Sequence, residues 1–138
     1  MSVVLDASLA LSWLFEDEQT PLIMNLLQQV SGTGAVVPSL WRLQIGNALQ
    51  IAIKRRRINP AYRDAMIQKL VRLPIVTDPD TNEYAWTTTL HLAEVHQLTV
   101  YDASYLELTL RRGLPLATCD ADLATAANTA GAILLPTR

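Results

Sequence analysis

The chain has 138 residues, half of them hydrophobic and 17% charged, which suits one compact domain with its own core and excludes a disordered polymer. Its 11 basic and 13 acidic side chains leave a formal charge of −2, so no overall basic field calls for a nucleic-acid partner, although a local patch can bind one. Cys119 is the one cysteine, which excludes an intramolecular disulfide and a cysteine-rich zinc site.

In chain order, Val3-Val4-Leu5 reads as a short strand ending at Asp6. Ala7 to Phe15 follows as a helix with Leu9, Ala10, Trp13 and Leu14 on one face, closed by the acidic loop Glu16-Asp17-Glu18. Thr20-Pro21 is a cap with proline in the first helical position, and Leu22, Ile23, Leu26, Leu27 and Val30 form the stripe of the helix behind it. Ala35-Val36-Val37 is a second strand. Ser39 is placed to cap a helix from Leu40 to about Arg57, with Trp41, Ile45, Ala48, Leu49 and Ala52 turned inward. Asn59-Pro60 opens a helix carrying Ala61, Ala65, Ile67, Leu70 and Leu73. Pro74 to Thr77 is extended, Asp78 to Thr81 is a turn, and Glu83 to His96 is one long helix. Val100-Tyr101 ends a strand at Asp102, and Ala103, Leu106 and Leu110 mark a helix from Asp102 to Arg112, stopped by Gly113 and Pro115. Leu116 to Cys119 is a buried strand running into Asp120. Asp122 to Ala130 is the last helix and Ile133-Leu134-Leu135 a final strand. No apolar run approaches the roughly 20 residues that span a bilayer, and no basic leader precedes the first strand, so a soluble cytoplasmic protein is expected.

Short apolar strands alternating with helices imply a parallel sheet covered on both faces, with ligand sites at the carboxyl ends of the strands. Asp6, Asp102 and Asp120 each stand between an expected strand and an expected helix. Taken singly, each reads as a helix cap. Taken together they bring three carboxylates from distant parts of the chain to one sheet edge, where their mutual repulsion calls for a cation. An all-oxygen site suits Mg²⁺ or Mn²⁺, which lowers the pKa of bound water and neutralises a phosphodiester.

Four blocks of sequence resemble the motifs of PIN-domain ribonucleases, most specifically the VapC-type toxins of bacterial toxin–antitoxin pairs. They are Val4-Leu5-Asp6-Ala7-Ser8, Pro38-Ser39-Leu40-Trp41, Leu98 to Tyr105 (LTVYDASY) and Leu114 to Asp120 (LPLATCD), and they span nearly the whole chain in order. The resemblance implies a single PIN domain over residues 1–138, with a three-layer α/β/α fold and a short, mostly parallel central sheet. It also implies a metal-dependent endoribonuclease using Mg²⁺ or Mn²⁺, a homodimer and a cognate VapB-type antitoxin, while the lack of a long apolar run leaves no membrane partner expected. Asp6, Asp102 and Asp120 match the acids of the family site, and Ser8 and Thr118 its small polar neighbours. One position departs: where the family carries a glutamate on the helix after Pro-Ser-Leu-Trp, this chain has Gln44. The amide keeps the shape and one carbonyl oxygen but not the charge, so weaker metal binding and impaired water activation are expected. The alternative is a catalytically inactive module that binds RNA or an antitoxin. A receiver-like or dehalogenase-like phosphotransfer domain is disfavoured, since Ser8 stands where a second acid would follow Asp6.

Lys54-Arg55-Arg56-Arg57 is the densest positive run. It complements the dipole of a helix C-terminus and offers an RNA-backbone or antitoxin contact. Arg111-Arg112 reads as helix termination. Trp13, Trp41 and Trp86 are expected to pack in the core or an interface, His91 and His96 to lie at the surface, and Tyr101 and Tyr105 to flank Asp102.

Overall fold

A computed structural model describes residues 2–137; the two ends of the expected 1–138 domain, Met1 and Arg138, lie outside the described residues. Four short strands form one all-parallel sheet: β1 (Val3–Leu5), β2 (Ala35–Val37), β3 (Ile75–Thr77) and β4 (Leu116–Ala117), in the order β3-β2-β1-β4. The central strand β1 is wholly buried, and β2 and β4 beside it are nearly so, as continuous apolar runs in a helix-covered parallel sheet require. The helices are α1 (Ala7–Ser12), α2 (Pro21–Thr33), α3 (Trp41–Lys54), α4 (Pro60–Val71), α5 (Thr81–Tyr84), α6 (Thr88–His96), α7 (Val100–Arg112) and α8 (Ala121–Thr129), with a 3₁₀ turn at Glu16–Glu18. The architecture is the expected three-layer α/β/α arrangement.

Several local expectations hold for the stated reasons. Thr20 caps α2 by accepting from the Ile23 N–H at 3.2 Å, with Pro21 at the first helical position. Asn59 caps α4 by accepting from the Tyr62 N–H at 2.8 Å. Gly113 ends α7 in the left-handed conformation, φ 64°, which a side chain would resist. Gly34 is needed twice over: its φ is 83°, and a Cβ there would lie 3.0 Å from the Pro74 carbonyl oxygen, at the crossing into β2.

Other expectations are corrected. The first helix ends at Ser12, not Phe15, and the acidic loop behind it is the 3₁₀ turn. Ser39 caps nothing: its N–H donates to Thr81 Oγ1 at 3.0 Å, and α3 starts behind Leu40 with no side-chain cap and ends at Lys54. In α4 the buried face is Met66 and Leu70, while Ala61 and Ala65 are exposed. The long helix expected over Glu83–His96 is two helices, broken where Thr87 adopts φ −116°, ψ −99°. Thr87-Thr88-Thr89 is a β-branched run with restricted side-chain rotamers and low helix propensity. No strand precedes Asp102, because α7 starts at Val100 under a Thr99 cap. Ile133–Leu135 contributes one parallel bridge, Leu116 to Leu134, rather than a strand.

Arg111 and Arg112 do more than end a helix. Asp78, its side chain fully buried just past β3, accepts from Arg111 at 2.7 and 3.2 Å and from Arg112 at 2.7 and 3.1 Å. Arg111 also holds the buried Glu107 one turn back at 2.7 Å and lies over the Tyr84 ring, 4.7 Å from its centroid. This network fastens the sheet's β3 edge to the C-terminal end of α7, the helix that presents Asp102 at its other end.

Candidate functional site

The parallel pairing of β1 with β4, Leu5 opposite Ala117, sets the residues that follow each strand side by side. The Asp6 N–H donates to the Ala117 carbonyl at 3.0 Å, extending the ladder one residue past the strand. The Asp6 side chain is buried and caps nothing. Its Oδ2 instead accepts from Ser8 Oγ at 2.6 Å and Thr118 Oγ1 at 2.7 Å. Each hydroxyl accepts in turn: Ser8 Oγ from the Cys119 N–H at 3.1 Å, and Thr118 Oγ1 from the Asp120 N–H at 2.9 Å. The two residues expected as small polar neighbours therefore fix the Asp6 carboxylate and the loop that carries Asp120. Asp120 is a true cap, its Oδ1 accepting from the Leu123 N–H at 2.9 Å. Its Oδ2 takes no hydrogen bond among the described residues and stays available to a ligand.

Asp102 reaches the same edge by another route. It sits in the first turn of α7, which packs across β1 and β4, and its N–H donates to Thr99 Oγ1 at 3.1 Å. Its carboxyl pKa is pushed up to about 6, by burial first and then by the charges of Asp120 and Asp6. Asp122, on the first turn of α8, adds a smaller push and is an acid that sequence reasoning passed over. Burial likewise raises the Asp6 carboxyl, offset by the Ser8 and Thr118 hydroxyls, with the Asp120 charge pushing further upward. The three expected acids thus feel one another.

Gln44 enters through Tyr105. The tyrosine is completely buried, and its hydroxyl donates to Gln44 Oε1. Burial pushes that phenol far above its ordinary pKa, and the charges of Asp6 and Asp102 push it further, which places the hydroxyl among the acids as a permanently neutral donor. Sequence reasoning put Tyr105 beside Asp102 without a role; the available signal was its spacing of three from Asp102, which sets both on one helix face. Tyr101 is off that face and largely exposed.

The basic run is not part of this edge. Arg57 is engaged elsewhere: it pairs with Asp17 at 2.8 Å and Glu18 at 2.9 Å and stacks 3.9 Å above the centroid of Phe15. Lys54, Arg55 and Arg56 are exposed at the far end of α3, roughly 16 Å along the helix from Gln44. Trp13 and Trp41 are buried as expected, whereas Trp86 is 88% exposed.

No family model and no curated protein matches the chain. Its fold is similar to a solved protein. That is the crystal structure of PAE2754 from Pyrobaculum aerophilum, 26% identical over 98% of this chain and 92% of that one, with a TM-score of 0.69. The likeness supports the three-layer fold end to end.

The donor set fits a hard divalent cation in its chemistry. All the groups are oxygens, and beyond the effect of burial the charges of Asp120 and Asp6 raise the Asp102 carboxyl, a repulsion that a cation would relieve. Among the described residues no three Asp, Glu, His or Cys side chains are gathered into a ready-made cluster. Mg²⁺ needs none, since it keeps several waters and takes one or two carboxylates directly.

The electrostatics carry a prediction. Between the ordinary carboxylate value, 3.8, and about 6, the folded protein holds the Asp102 proton and the unfolded chain does not. Stability without metal therefore falls as pH rises through that window. Asp102→Asn is expected to melt higher than the parent at pH 7 in EDTA, by roughly 1–2 kcal/mol after allowing for solvent screening, and to lose much of the difference between pH 5 and pH 7. Calorimetric scans at the two pH values check this. A variant that melts lower at pH 7 would mean that the carboxylate serves the helix N-terminus more than it strains the site.

Proposed function

We propose that this protein is a metal-dependent endoribonuclease of the PIN type, a VapC-like toxin, whose turnover is limited by Gln44. The observation that supports the reading is the convergence of Asp6, Asp102 and Asp120, three acids from separate segments, at one sheet edge, where burial first and then the charges of Asp120 and Asp6 raise the Asp102 carboxyl to about 6. Their carboxylates would hold Mg²⁺ or Mn²⁺. The bound cation would supply a water of lowered pKa and neutralise charge on the scissile phosphate. Asp6, locked by Ser8 and Thr118, is the rigid member; Asp120 shares its oxygens between the α8 cap and the site. Tyr105 holds Gln44 through its Oε1, and the amide adds no charge to the edge. The partners proposed with this activity are an RNA substrate, a cognate VapB-type antitoxin and a second copy of the chain, in a cytoplasmic setting. Among the described residues no helix is long and apolar enough to cross a membrane.

The test is incubation of the purified protein with cellular RNA in Mn²⁺, in Mg²⁺ and in EDTA. Slow cleavage that EDTA stops and Asp102→Asn abolishes is the expected outcome. Cleavage that persists in EDTA, or that Asp102→Asn leaves intact, rules the reading out.

The second reading, a binding module without catalysis, draws on the same contact. With Oε1 of Gln44 occupied by the Tyr105 hydroxyl, the amide N–H₂ is the end left free. RNA binding with no cleavage by the parent or by Gln44→Glu would favour it.

A further inference from the structure

Between α3, α4 and the β3 edge of the sheet lies a cavity of about 150 Å³ that shares no residue with the acidic edge. Its walls are largely branched apolar side chains, among them Val37, Ile45, Ile67, Leu70 and Ile75. A cavity of that size with such walls takes a benzene-sized body. Two polar side chains on the wall can only donate. Trp41 lines it at 5% exposure, and its indole N–H has no partner among the described residues, an unusual state for a buried polar group. Arg42 lines it too, exposed and without an ion pair among the described residues. Gly46 completes the α3 side. It stands inside the helix with no positive φ, and a Cβ there would meet nothing within 4 Å, so neither backbone conformation nor crowding calls for glycine. Glycine is the poorest helix former after proline, and here its bare Cα leaves the cavity open.

We propose that this cavity is a binding site for a small free carboxylate, with its compact apolar body inside and its anionic end toward Arg42 and the Trp41 indole. The apolar walls select the body. The donor-only side chains select an acceptor, and the unpaired guanidinium selects a charged one. A nucleotide is too large and too polar for the space, since pockets for whole ligands start at about 300 Å³. A polypeptide seated here would run along β3, but that edge strand is three residues long, with Pro74 before it and Pro79 close behind, which blunts it against strand addition. The site holds none of the three acids, so it stands or falls apart from the ribonuclease reading.

The experiment is a titration of ¹⁵N-labelled protein with sodium isovalerate, followed through the indole N–H resonances, that of Trp41 being assigned by its loss in Trp41→Phe. Isovaleramide supplies the same body without the charge, acetate the charge without the body, and a short peptide ending in leucine the same group on a polypeptide. Isovalerate is expected to move the Trp41 resonance and leave those of Trp13 and Trp86 in place, with a dissociation constant of about 1 mM. Isovaleramide and acetate should each bind about 10-fold more weakly. Arg42→Gln, at an exposed position, should weaken isovalerate about 10-fold and leave isovaleramide unchanged. Gly46→Leu should fill the cavity, abolish the shift and melt no lower than the parent. No movement of the Trp41 resonance overturns the site. Acetate or isovaleramide binding as tightly as isovalerate overturns the ligand class, as does isovalerate binding that Arg42→Gln leaves intact. Tighter binding of the peptide overturns the assignment to a free small molecule, and undiminished binding by Gly46→Leu places the ligand elsewhere.

Discussion

Gln44→Glu is expected to raise Mn²⁺-dependent RNA cleavage by about 10²-fold or more. The replacement keeps the side-chain length, so the Tyr105 hydroxyl that now donates to Oε1 would donate to a carboxylate oxygen, a stronger charge-assisted bond. The second carboxylate oxygen takes the place of the amide N–H₂, which repels a cation, and adds a charge to the proposed metal site. The same change has an opposite effect without metal. A further negative charge beside Asp6 and Asp102 raises the Asp102 carboxyl beyond about 6, so the variant should melt below the parent in EDTA and rise above it in Mn²⁺. This crossing of melting temperatures separates a metal-site effect from a general gain in stability. Equal cleavage by both forms, with parallel melting behaviour, would remove Gln44 from the site.

Arg111→Met is expected to destabilise the fold by about 3 kcal/mol at pH 7. The arginine holds two buried carboxylates at once, Asp78 at 2.7 Å and Glu107 at 2.7 Å. Losing it leaves Glu107 without its cation and Asp78 with Arg112 alone. Breaking a buried pair from one side costs about 3–5 kcal/mol, and the surviving Arg112 contact keeps the estimate at the lower end. Burial pushes the Asp78 carboxyl up, but the Arg111 and Arg112 hydrogen bonds outweigh it and hold the pKa below its ordinary 3.8. The network's contribution is therefore present above that value and lost as pH falls through the lower folded one. Urea unfolding at pH 7 and at acid pH should show a deficit in Arg111→Met that narrows in acid. A deficit below about 1 kcal/mol at pH 7 would mean that solvent screens the network as it does a surface pair.

How much could be read from the chain beforehand depends on the range of the interaction. Local chemistry was legible: Val3-Val4-Leu5, Ala35-Val36-Val37, the Thr20 and Asn59 caps and the Gly113 stop all declare themselves within a few residues. So was the meeting of Asp6 with Asp120, because a parallel sheet brings strand ends together. Asp102 was placed at the right edge on a wrong premise. It arrives inside a helix that packs across the sheet, since Thr99, not Asp102, is the cap. Ser39 is not the cap because α3 starts one residue later than its hydroxyl would need, with Leu40 at the cap position, while the Ser39 N–H donates to Thr81 Oγ1 from 42 positions away. Arg111 and Arg112 looked like helix termination because their partner, Asp78, lies more than 30 positions back, and charge pairing at that separation leaves no periodicity to read. Tyr105 was visible at its spacing from Asp102, but its contact with Gln44 bridges two helices and needed the fold.

The most direct measurement of the central claim is Mn²⁺ binding by titration calorimetry to the parent, Gln44→Glu and Asp102→Asn, without RNA. Binding by the parent, about 10-fold or more tighter binding by Gln44→Glu, and none by Asp102→Asn is the predicted pattern. Equal affinity in all three, or no binding in any, would contradict a cation site built from Asp6, Asp102 and Asp120 with Gln44 at its edge.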